Sequence, residues 1–490
     1  MSDEKKEVSR RAFLKYAAAG VIGLAVGGVI GYLSKPAEVA KETITQYSTI
    51  IKTTTVEKTV TASLPQSTAV VTTTITQSPS PTTTLAKPKV DISGEEVVYF
   101  TYAGPWNEPR IADAKIFEEK TGCKVKYVAE VPWAAFRDQC VTKLSAGSSE
   151  FDIVDVNSWW LPGFAKAGWL EPLNTFIEDP NIVDPELLDI NDFPKPILDG
   201  LTIEGKLYGL PWYVGFEVYA YRQDLFEKEN LSPPKKMEDF VTIAETLTSD
   251  GMYGFSTPMS QSTYGLRPWI GFFQGYGGRF FDEKMRPQIN SRAAIKAFEL
   301  MLELKKYAPP GCLSYNDWGS TVTDICQGRA ATVIVNEYYT SWFDNPEKSK
   351  FVGKIETRGD TPFKTQTDVL GAGISKFSKH KLAAYKYIEW YTSAEYQKIY
   401  VMKSGLNIVC RSSLLEDPEI VKYFRSFPAC KYALEKNSVA MPLIPEWSEI
   451  SDILARYVSK VYVGELDPEV AAEKAQEEVD EIMRRAGYYE

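Results

Sequence analysis

The sequence predicts an α/β fold, in which mainly parallel strands form sheets covered by helices on both faces. Strand-like and helix-like segments alternate from about residue 95 onwards, a pattern typical of parallel strands joined by crossover helices. The first strand-like segments are short apolar runs, as expected of strands buried on both faces. A chain of 490 residues is also long enough for two or three domains of about 100–200 residues each.

The individual elements follow in order along the chain. Hydrophobic periodicity predicts a final helix at 468–485, where Asp467 and Pro468 form an N-cap residue followed by a proline in the first turn. The same reasoning predicts strands at 97–100, 123–128 and 151–156, and helices at 111–120, 133–146, 236–247, 293–307, 321–327 and 381–392.

The charge of the chain is unevenly distributed. The formal net charge is −10, and residues 91–490 carry 44 Lys or Arg against 59 Asp or Glu, a net charge of −15. Nucleic-acid binding needs clustered basic side chains that displace counterions from phosphates. An acidic body of this kind argues against nucleic acid as a partner.

The first 35 residues have the features of an export signal. Arg10 and Arg11 precede the apolar segment 16–33, which is rich in Ala and Gly and resembles a twin-arginine signal more than a Leu-rich membrane helix. A plain N-terminal membrane anchor explains the same residues. Both interpretations place the rest of the chain outside the cytoplasm, and the segment is long enough to remain as a tether.

Residues 36–90 predict a stalk between this segment and the body. They are rich in Thr, Ser and Pro, a composition typical of O-glycosylated stalks and equally of plain extended linkers. Both interpretations hold a globular body away from a surface.

Cysteine spacing predicts three short-range disulfides in an exported chain. Six cysteines allow fifteen pairings, and sequence alone does not select one. The nearest-neighbour pairing joins Cys123 to Cys140, Cys312 to Cys326, and Cys410 to Cys430.

A metal site is not expected. The single histidine, His380, lies in a polar run and is predicted to be a surface residue, whereas a zinc site needs three or four ligands. No cofactor is predicted either.

A series of short motifs follows in a fixed order along the body of the chain. The motifs are Phe-Glu-Glu-Lys-Thr-Gly at 117–122, Phe-Asp-Ile-Val at 151–154, Ala-Gly-Trp-Leu-Glu-Pro-Leu at 167–173, Gly-Lys-Leu-Tyr-Gly-Leu-Pro at 205–211, Ala-Tyr-Arg-Gln-Asp-Leu-Phe at 220–226, Gly-Gly at 277–278, Gln-Gly-Arg-Ala-Ala at 327–331, Gly-Ala-Gly-Ile at 371–374 and Ile-Pro-Glu-Trp at 444–447. In this order the motifs resemble the extracellular solute-binding proteins of family 1, the maltose- and trehalose-binding type. The resemblance runs along nearly all of residues 95–485.

The resemblance implies a two-lobed periplasmic-binding-protein-like fold of type II, with discontinuous lobes joined by hinge strands. Crossings are expected near 212–215, 333–336 and 370–373. Lobe I then comprises 91–212 and 333–366, and lobe II comprises 213–332 and 367–490. Such a protein, expected to be a monomer on the outer face of the membrane, captures a ligand in the interlobe cleft and delivers it to the membrane permease of an ABC importer.

Aromatic side chains near predicted loops support a sugar as the ligand. A pyranose offers an apolar C–H face and an edge of hydroxyls, so its site needs flat rings and polar groups that make paired hydrogen bonds. Trp106, Trp159 and Trp160 follow predicted strands at their carboxyl ends, where open α/β sheets bind ligands. The resemblance adds Trp212, Tyr213, Trp269, Tyr338, Tyr339 and Trp447 as further aromatic candidates, and the candidate polar partners are Asn107, Glu108, Glu217, Arg267 and Glu337.

One position departs from the maltose-type pattern. Relatives of that type often have an acidic residue four positions after Pro211, where this chain has Gly215. Glu217 lies on the same strand face and is the expected substitute. We therefore predict a carbohydrate ligand without specifying which sugar.

Two alternative functions use the same residue types. A secreted glycoside hydrolase would combine aromatic rings with a pair of carboxylates, and a related binding protein could take a peptide or a polyamine. The order of the motifs favours a binding protein without catalytic activity.

Overall fold

The computed structural model describes residues 90–104, 106–407 and 409–490. The predicted export segment 1–35 and the predicted stalk as far as residue 89 lie outside the described residues. Within the described part of the chain, no helix is both long and apolar enough to cross a membrane.

The chain alternates strands with helices as the periodicity predicts. The strands are β1 (Glu96–Tyr102), β2 (Lys124–Val131), β3 (Ile153–Asn157), β4 (Leu170–Glu171), β5 (Thr202–Ile203), β6 (Lys206–Leu207), β7 (Leu210–Gly215), β8 (Glu217–Arg222), β9 (Tyr253–Ser256), β10 (Ala330–Asn336), β11 (Ile355–Arg358), β12 (Thr365–Gln366), β13 (Asp368–Ser375) and β14 (Ser438–Val439). The helices are α1 (Asn107–Thr121), α2 (Trp133–Ser145), α3 (Leu161–Lys166), α4 (Asn174–Ile177), α5 (Pro185–Leu188), α6 (Lys195–Asp199), α7 (Gln223–Lys228), α8 (Met237–Leu247), α9 (Thr263–Gly275), α10 (Arg292–Lys305), α11 (Trp318–Gln327), α12 (Lys381–Tyr391), α13 (Ala394–Ser404), α14 (Ser412–Leu415), α15 (Pro418–Tyr423), α16 (Phe427–Tyr432), α17 (Trp447–Tyr462) and α18 (Pro468–Arg485), with short 3₁₀ turns at Ile190–Asp192, Pro310–Ser314 and Glu337–Trp342 and a π turn at Ala433–Asn437.

Local sequence signals explain several helix ends. The α1 helix ends at Gly122, whose φ of 73° places it in the left-handed region that favours glycine, and its N–H bonds to the Glu118 carbonyl oxygen. The α18 helix begins at Pro468 directly after Asp467, as the sequence predicts.

Two separate sheets carry the two lobes of the fold. The first is six-stranded, in the order β2-β1-β3-β13-β4, with β7 also paired to β13. The second is four-stranded, in the order β11-β8-β10-β9. The lobes are therefore mixed α/β, and β13 runs antiparallel to β3, β4 and β7 because it returns from the second lobe.

The predicted lobe boundaries differ from this strand pairing. Residues 333–366 were expected in lobe I, but β10 and β11 both pair with β8 in the second sheet. The range 367–490 was expected in lobe II, but β13 belongs to the first sheet and α12 packs against it. The chain crosses between the lobes at 215–217 and returns at 366–368. The expected crossing near 212–215 adjoins the first of these, whereas 333–336 lies within β10 of the second sheet and 370–373 lies within β13 of the first sheet.

The second sheet divides the buried core. Val333 and Val335 of β10 belong to the core that continues into the first lobe, whereas Ile334 belongs to the second-lobe core under α8, α9, α10 and α17. This alternation follows from successive strand side chains pointing to opposite faces.

The cysteine prediction is wrong in this structure, where all six residues are buried free thiols. Cys312 and Cys326 lie in different hydrophobic cores, so their sequence proximity does not bring them together. Burial raises the pKa of the Cys123 and Cys312 thiols to about 12, which keeps them protonated. Cys140, Cys326, Cys410 and Cys430 are likewise buried.

Candidate functional site

The candidate site forms where four strands of the first sheet end at one edge. β1 and β3 run parallel, so their carboxyl ends lie together. β13 begins beside the end of β3, and the start of β13 faces the end of β7 through the Asp368–Gly215 pair. This arrangement gathers Asn157, Trp159 and Asp368 at the sheet edge where α/β proteins bind ligands.

The second lobe contributes the opposing side chains. Glu217 begins β8, directly after the first crossing, and Glu337 follows the end of β10. Arg267 comes from α9 and Trp447 from the start of α17. Residues far apart in sequence therefore meet near the crossing strands.

Arg267 joins the two lobes at this point. Its Nε donates to Glu217, its Nη2 donates to the Gln366 carbonyl oxygen at 3.1 Å, and its Nη1 lies 3.4 Å from Asp368 Oδ2. Burial alone would lower the pKa of Arg267, but Glu217 and Asp368 outweigh burial and raise it. The guanidinium therefore stays charged, and it is held by groups on both sides of the crossing.

Asp368 also connects this network to the first lobe. Asn157 Nδ2 donates to Asp368 Oδ1 at 2.5 Å, and the Asp368 side chain keeps 22% of its surface exposed. Burial raises the pKa of Asp368, and Arg267 and Asn157 oppose that shift. Asp368 is thus a partly exposed carboxylate with capacity for further hydrogen bonds.

Three tryptophans line the boundary between the lobes. The Trp159 ring is 8% exposed, meets the Trp447 ring edge-on at a centroid distance of 6.2 Å, and lies 5.7 Å from the Arg267 guanidinium carbon. Trp160 packs against Trp133 at 5.1 Å and contacts both hydrophobic cores. The indole nitrogens of Trp159, Trp160 and Trp447 are buried and have no hydrogen-bond partner among the described residues.

Unpaired buried donors of this kind are costly. A buried polar group without a partner costs about 1–3 kcal/mol, and native proteins leave few such groups.

A hydrogen bond across the crossing explains why this chain has Gly215 where relatives of the maltose type often have an acidic residue. The Tyr213 hydroxyl donates to Asn336 Oδ1 at 3.1 Å and so links the first-lobe strand β7 to the second-lobe strand β10. A Cβ atom at Gly215 would lie 2.9 Å from the Tyr213 hydroxyl oxygen and 3.2 Å from Asn336 Nδ2. Tyr213 therefore occupies the space that an acidic side chain at position 215 would need.

Glu217 does not replace that acidic residue as a free ligand group. Its side chain is fully buried, and it accepts hydrogen bonds from Arg267 and, at 3.2 Å, from Thr365 Oγ1. The carboxylate fixes Arg267 in place.

Glu337 binds the backbone of the crossing segment at Phe216. Its Oε2 accepts the Phe216 N–H at 2.9 Å, while its Oε1 is buried without a partner among the described residues. Burial raises the pKa of Glu337 well above the usual range; the hydrogen bond from Phe216 opposes this shift, and the nearby Glu217 adds to it.

A second aromatic contact spans the lobes near Trp106. The Trp106 ring meets Tyr338 edge-on at 6.5 Å, and Tyr338 meets Tyr339 at 5.0 Å. The Trp106 indole nitrogen is another buried donor without a partner among the described residues. Burial raises the pKa of Tyr339 to about 12, so its hydroxyl keeps its proton.

Other predicted residues lie away from this boundary. Trp269 is fully buried in the second-lobe core, stacked on Phe273 at 5.1 Å. Trp212 is fixed in the first-lobe core, because its Nε1 donates to Asp155 Oδ1 at 2.9 Å.

The two polar candidates that follow Trp106 lie in the first turn of α1. Asn107 is buried and donates to the Tyr102 carbonyl oxygen at 2.6 Å, which fixes the start of α1, and Glu108 is exposed.

Sequence reasoning missed Asn157, Gln366 and Asp368. Asn157 and Asp368 lie at strand ends. Gln366 lies in the returning segment, and its fully buried Oε1 has no hydrogen-bond partner among the described residues. The position of Asn157 two residues before Trp159 was an available signal, whereas the role of Asp368 depends on the long-range pairing of β13.

The first lobe also contains a cavity of about 420 Å³ away from these strand ends. It is lined by acidic side chains and two lysines together with Phe117 and Trp390, and the predicted site residues are not among its lining residues. The described residues also contain no group of three or more His, Cys, Asp or Glu that could hold a metal ion. His380 is partly exposed and contacts Glu95.

Comparison with known proteins agrees with this fold. Residues 103–398 match the family model described as bacterial extracellular solute-binding protein. A mannitol-binding protein of Pseudomonas aeruginosa is 24% identical over 76% of this chain and 90% of its own length. A probable amino-acid ABC transporter periplasmic-binding protein of Sinorhizobium fredii is 26% identical over 81% of this chain and 91% of its own length.

Solved structures show the same two-lobed architecture. An ABC transporter solute-binding protein from Agrobacterium radiobacter, in complex with ribitol, is 25% identical, covers 80% of this chain and 100% of its own, and superposes with a TM-score of 0.71. The family and these neighbours are binding proteins. With the family match spanning more than half of its length, the chain belongs to the bacterial extracellular solute-binding proteins.

Proposed function

We propose that this protein is the substrate-binding component of an ABC importer, which captures a sugar or polyol between its lobes and delivers it to the membrane permease. The observation that carries the proposal is the set of indole N–H groups of Trp159, Trp160 and Trp447 at the lobe boundary, which have no partner among the described residues; the Trp159 ring also lies beside Arg267.

These groups match the chemistry of polyhydroxylated solutes. Hydroxyl groups accept from indole N–H donors and donate to carboxylates, and aromatic faces pack on C–H surfaces. A site with a few placed polar groups among aromatic walls is typical of small-molecule clefts. The names of the mannitol- and ribitol-binding relatives support the same class of solute.

Capture by closure of the lobes requires contacts from both sides. A ligand shifts an open–closed equilibrium only when it binds the closed form better. Trp159 and Asp368 on the first-lobe edge face Arg267 and Trp447 from the second lobe, so a solute here would touch both.

The carboxylates at the site argue against the hydrolase alternative. A glycoside hydrolase needs one carboxyl group as acid and another as base or nucleophile. Glu217 is held by Arg267 and Thr365, and Asp368 by Asn157 and Arg267. We therefore infer binding without catalysis. Separately, we infer that the protein is a monomer.

The location of the protein follows from its family and from the N-terminal sequence. We infer export by the twin-arginine route and tethering to the outer face by segment 1–35, with residues 36–90 as a stalk. Replacing Arg10 and Arg11 together by Lys keeps the charge and removes the receptor-read pair. The variant should stay in the cytoplasm, and normal export would favour the plain-anchor interpretation.

A thermal-shift panel of sugars, polyols, amino acids and polyamines tests the proposed ligand class. A solute at 100 times its Kd should add about 2.7 kcal/mol of stability, and intrinsic Trp fluorescence should change over the same concentration range. Stabilisation by amino acids or polyamines only would refute the sugar proposal, and slow cleavage of a bound oligosaccharide would refute the absence of catalysis.

Two matched variants test the site. Trp160→Ala should weaken binding of the stabilising solute by about 1–2 kcal/mol, the scale of a lost aromatic contact. Trp169→Ala is the control, because Trp169 is also a half-buried first-lobe tryptophan but packs on Phe164. Equal loss of affinity in both variants would contradict the assigned site.

A further inference from the structure

We propose that the cleft selects uncharged solutes over their acid forms and that Asp368 is the residue responsible. This inference rests on the proposed function, because it concerns the solute class taken by the same interlobe site.

The charges at the lobe boundary set the selection. Two carboxylates, Glu217 and Asp368, contact the single guanidinium of Arg267. The three side chains together carry one net negative charge. An anionic solute entering beside them would meet a carboxylate that has no second cation in this network.

Arg267 is nearly buried, and each of its nitrogens is engaged within the protein. Its Nε is committed to Glu217 and its Nη2 to the Gln366 carbonyl oxygen, and its Nη1 faces Asp368. Arg110, a buried guanidinium of the first lobe, is fully enclosed and stacked 4.3 Å over the Trp212 ring. Carboxylate recognition by arginine normally uses two parallel donors of one fork, whereas each nitrogen of Arg267 already has a partner in this protein and only 5% of the side chain is exposed.

Asp368 is placed instead to accept hydroxyl groups. It is the partly exposed member of the network, with 22% of its side chain exposed, while the Glu217 side chain is fully buried. Its contact with Arg267 is long, at 3.4 Å, so its Oδ2 has capacity left for a stronger hydrogen bond.

A buried acceptor close by adds to this preference. Gln366 Oε1 is fully buried and unpaired among the described residues, and the same residue's carbonyl oxygen accepts from Arg267. Hydroxyl donors of a solute would satisfy both Gln366 Oε1 and Asp368 Oδ2. A carboxylate in place of such a hydroxyl group is acceptor-only, so it would leave the facing acceptor unpaired and would repel Asp368.

Matched solute pairs test the selection in the full-length protein. D-mannitol is compared with D-mannonate, and ribitol with D-ribonate, at pH 7.5 by titration calorimetry. Each pair differs by oxidation of one terminal CH₂OH to a carboxylate. The wild-type protein should bind the polyol at least about tenfold more tightly than its acid, since one lost charge-assisted hydrogen bond alone has that effect.

The variant Asp368→Asn distinguishes selection from a structural role. Its affinity for the polyol should fall about 10- to 100-fold, while its affinity for the acid should stay unchanged or rise, so the acid-to-polyol Kd ratio falls at least about tenfold. Asp250→Asn is the control, because Asp250 is exposed in the turn before β9, at the strand end opposite the cleft. It should leave both affinities unchanged.

Each outcome separates the two proposals. Equal binding of polyol and acid by the wild type, or a variant that weakens both by the same factor, would overturn the role of Asp368 and leave the proposed function standing. Binding of an amino acid or spermidine with no binding of any polyol or sugar would overturn the proposed function and this inference together.

Discussion

The buried contact between Arg267 and Glu217 gives the most quantitative prediction for stability. The Arg267 and Glu217 side chains are 5% and 0% exposed. Arg267→Met leaves the Glu217 carboxylate buried with only Thr365 as a side-chain partner. Removing one partner of a buried ion pair costs about 3–5 kcal/mol, which is the expected loss in the free energy of unfolding.

Substitution of the partner residue, Glu217, should cost less stability, because Arg267 keeps a second carboxylate. After Glu217→Gln, Asp368 still lies 3.4 Å from the guanidinium, so the expected loss is about 1.5–3 kcal/mol, the range for a hydrogen bond to a charged group. The double variant leaves no uncompensated charge at position 217. Its loss should fall short of the sum of the single losses by about 1–3 kcal/mol.

Urea denaturation followed by Trp fluorescence and circular dichroism measures these differences. The two probes must coincide, and the denaturant slope must stay the same among variants, for the free energies to be comparable. Lys195 and Asp199 are the control pair, because both are largely exposed and should show no measurable coupling. Additivity of the Arg267 and Glu217 losses within about 0.5 kcal/mol would refute the coupling.

Three further predictions concern single features. Gly215→Ala should break the Tyr213–Asn336 hydrogen bond, because its Cβ would meet the Tyr213 hydroxyl at 2.9 Å; weakened solute binding with retained helical signal is expected, and unchanged binding would contradict the steric argument. Glu337→Gln should stabilise the protein increasingly as the pH rises from 4 to 8, because burial raises the pKa of Glu337 in the folded state, so that above its ordinary pKa ionisation favours the unfolded chain in the wild type but not in the variant. A pH-independent difference in melting temperature would refute this. Thiol titration without reductant should find all six cysteines after unfolding and none quickly in the native protein, and fewer than six in the unfolded protein would indicate a disulfide.

Local signals in the sequence were sufficient for the helices and strands that were predicted, whereas the helices α9 and α17 were not predicted. The final helix has the predicted bounds because Asp467 and Pro468 mark its start. The helix predicted at 236–247 begins one residue later, at Met237. Strand and helix alternation likewise predicts α/β lobes, since it depends only on neighbouring residues.

Sheet membership depends on long-range pairing, which explains the wrong lobe boundaries. Nothing local to β10 and β11 indicates that both pair with β8. The role of Asp368 is invisible for the same reason, because only the antiparallel return of β13 brings it beside Asn157.

The position of an aromatic side chain was equally hard to predict inside a buried helix. The α9 helix is buried from Gly265 to Gln274, so no polar face shows which residues point toward a ligand. Trp269 therefore looked like a ligand contact but lies in the core, while Arg267, two residues earlier, reaches the lobe boundary.

A crystal structure of the protein with the tightest-binding sugar or polyol of the panel tests the central claim most directly. The account predicts solute oxygens within hydrogen-bond distance of an indole nitrogen of Trp159 or Trp160 and of Asp368, with the second-lobe Trp447 or Arg267 side chain also in contact. A solute that touches one lobe only, or that occupies the first-lobe cavity lined by Phe117 and Trp390, would contradict it.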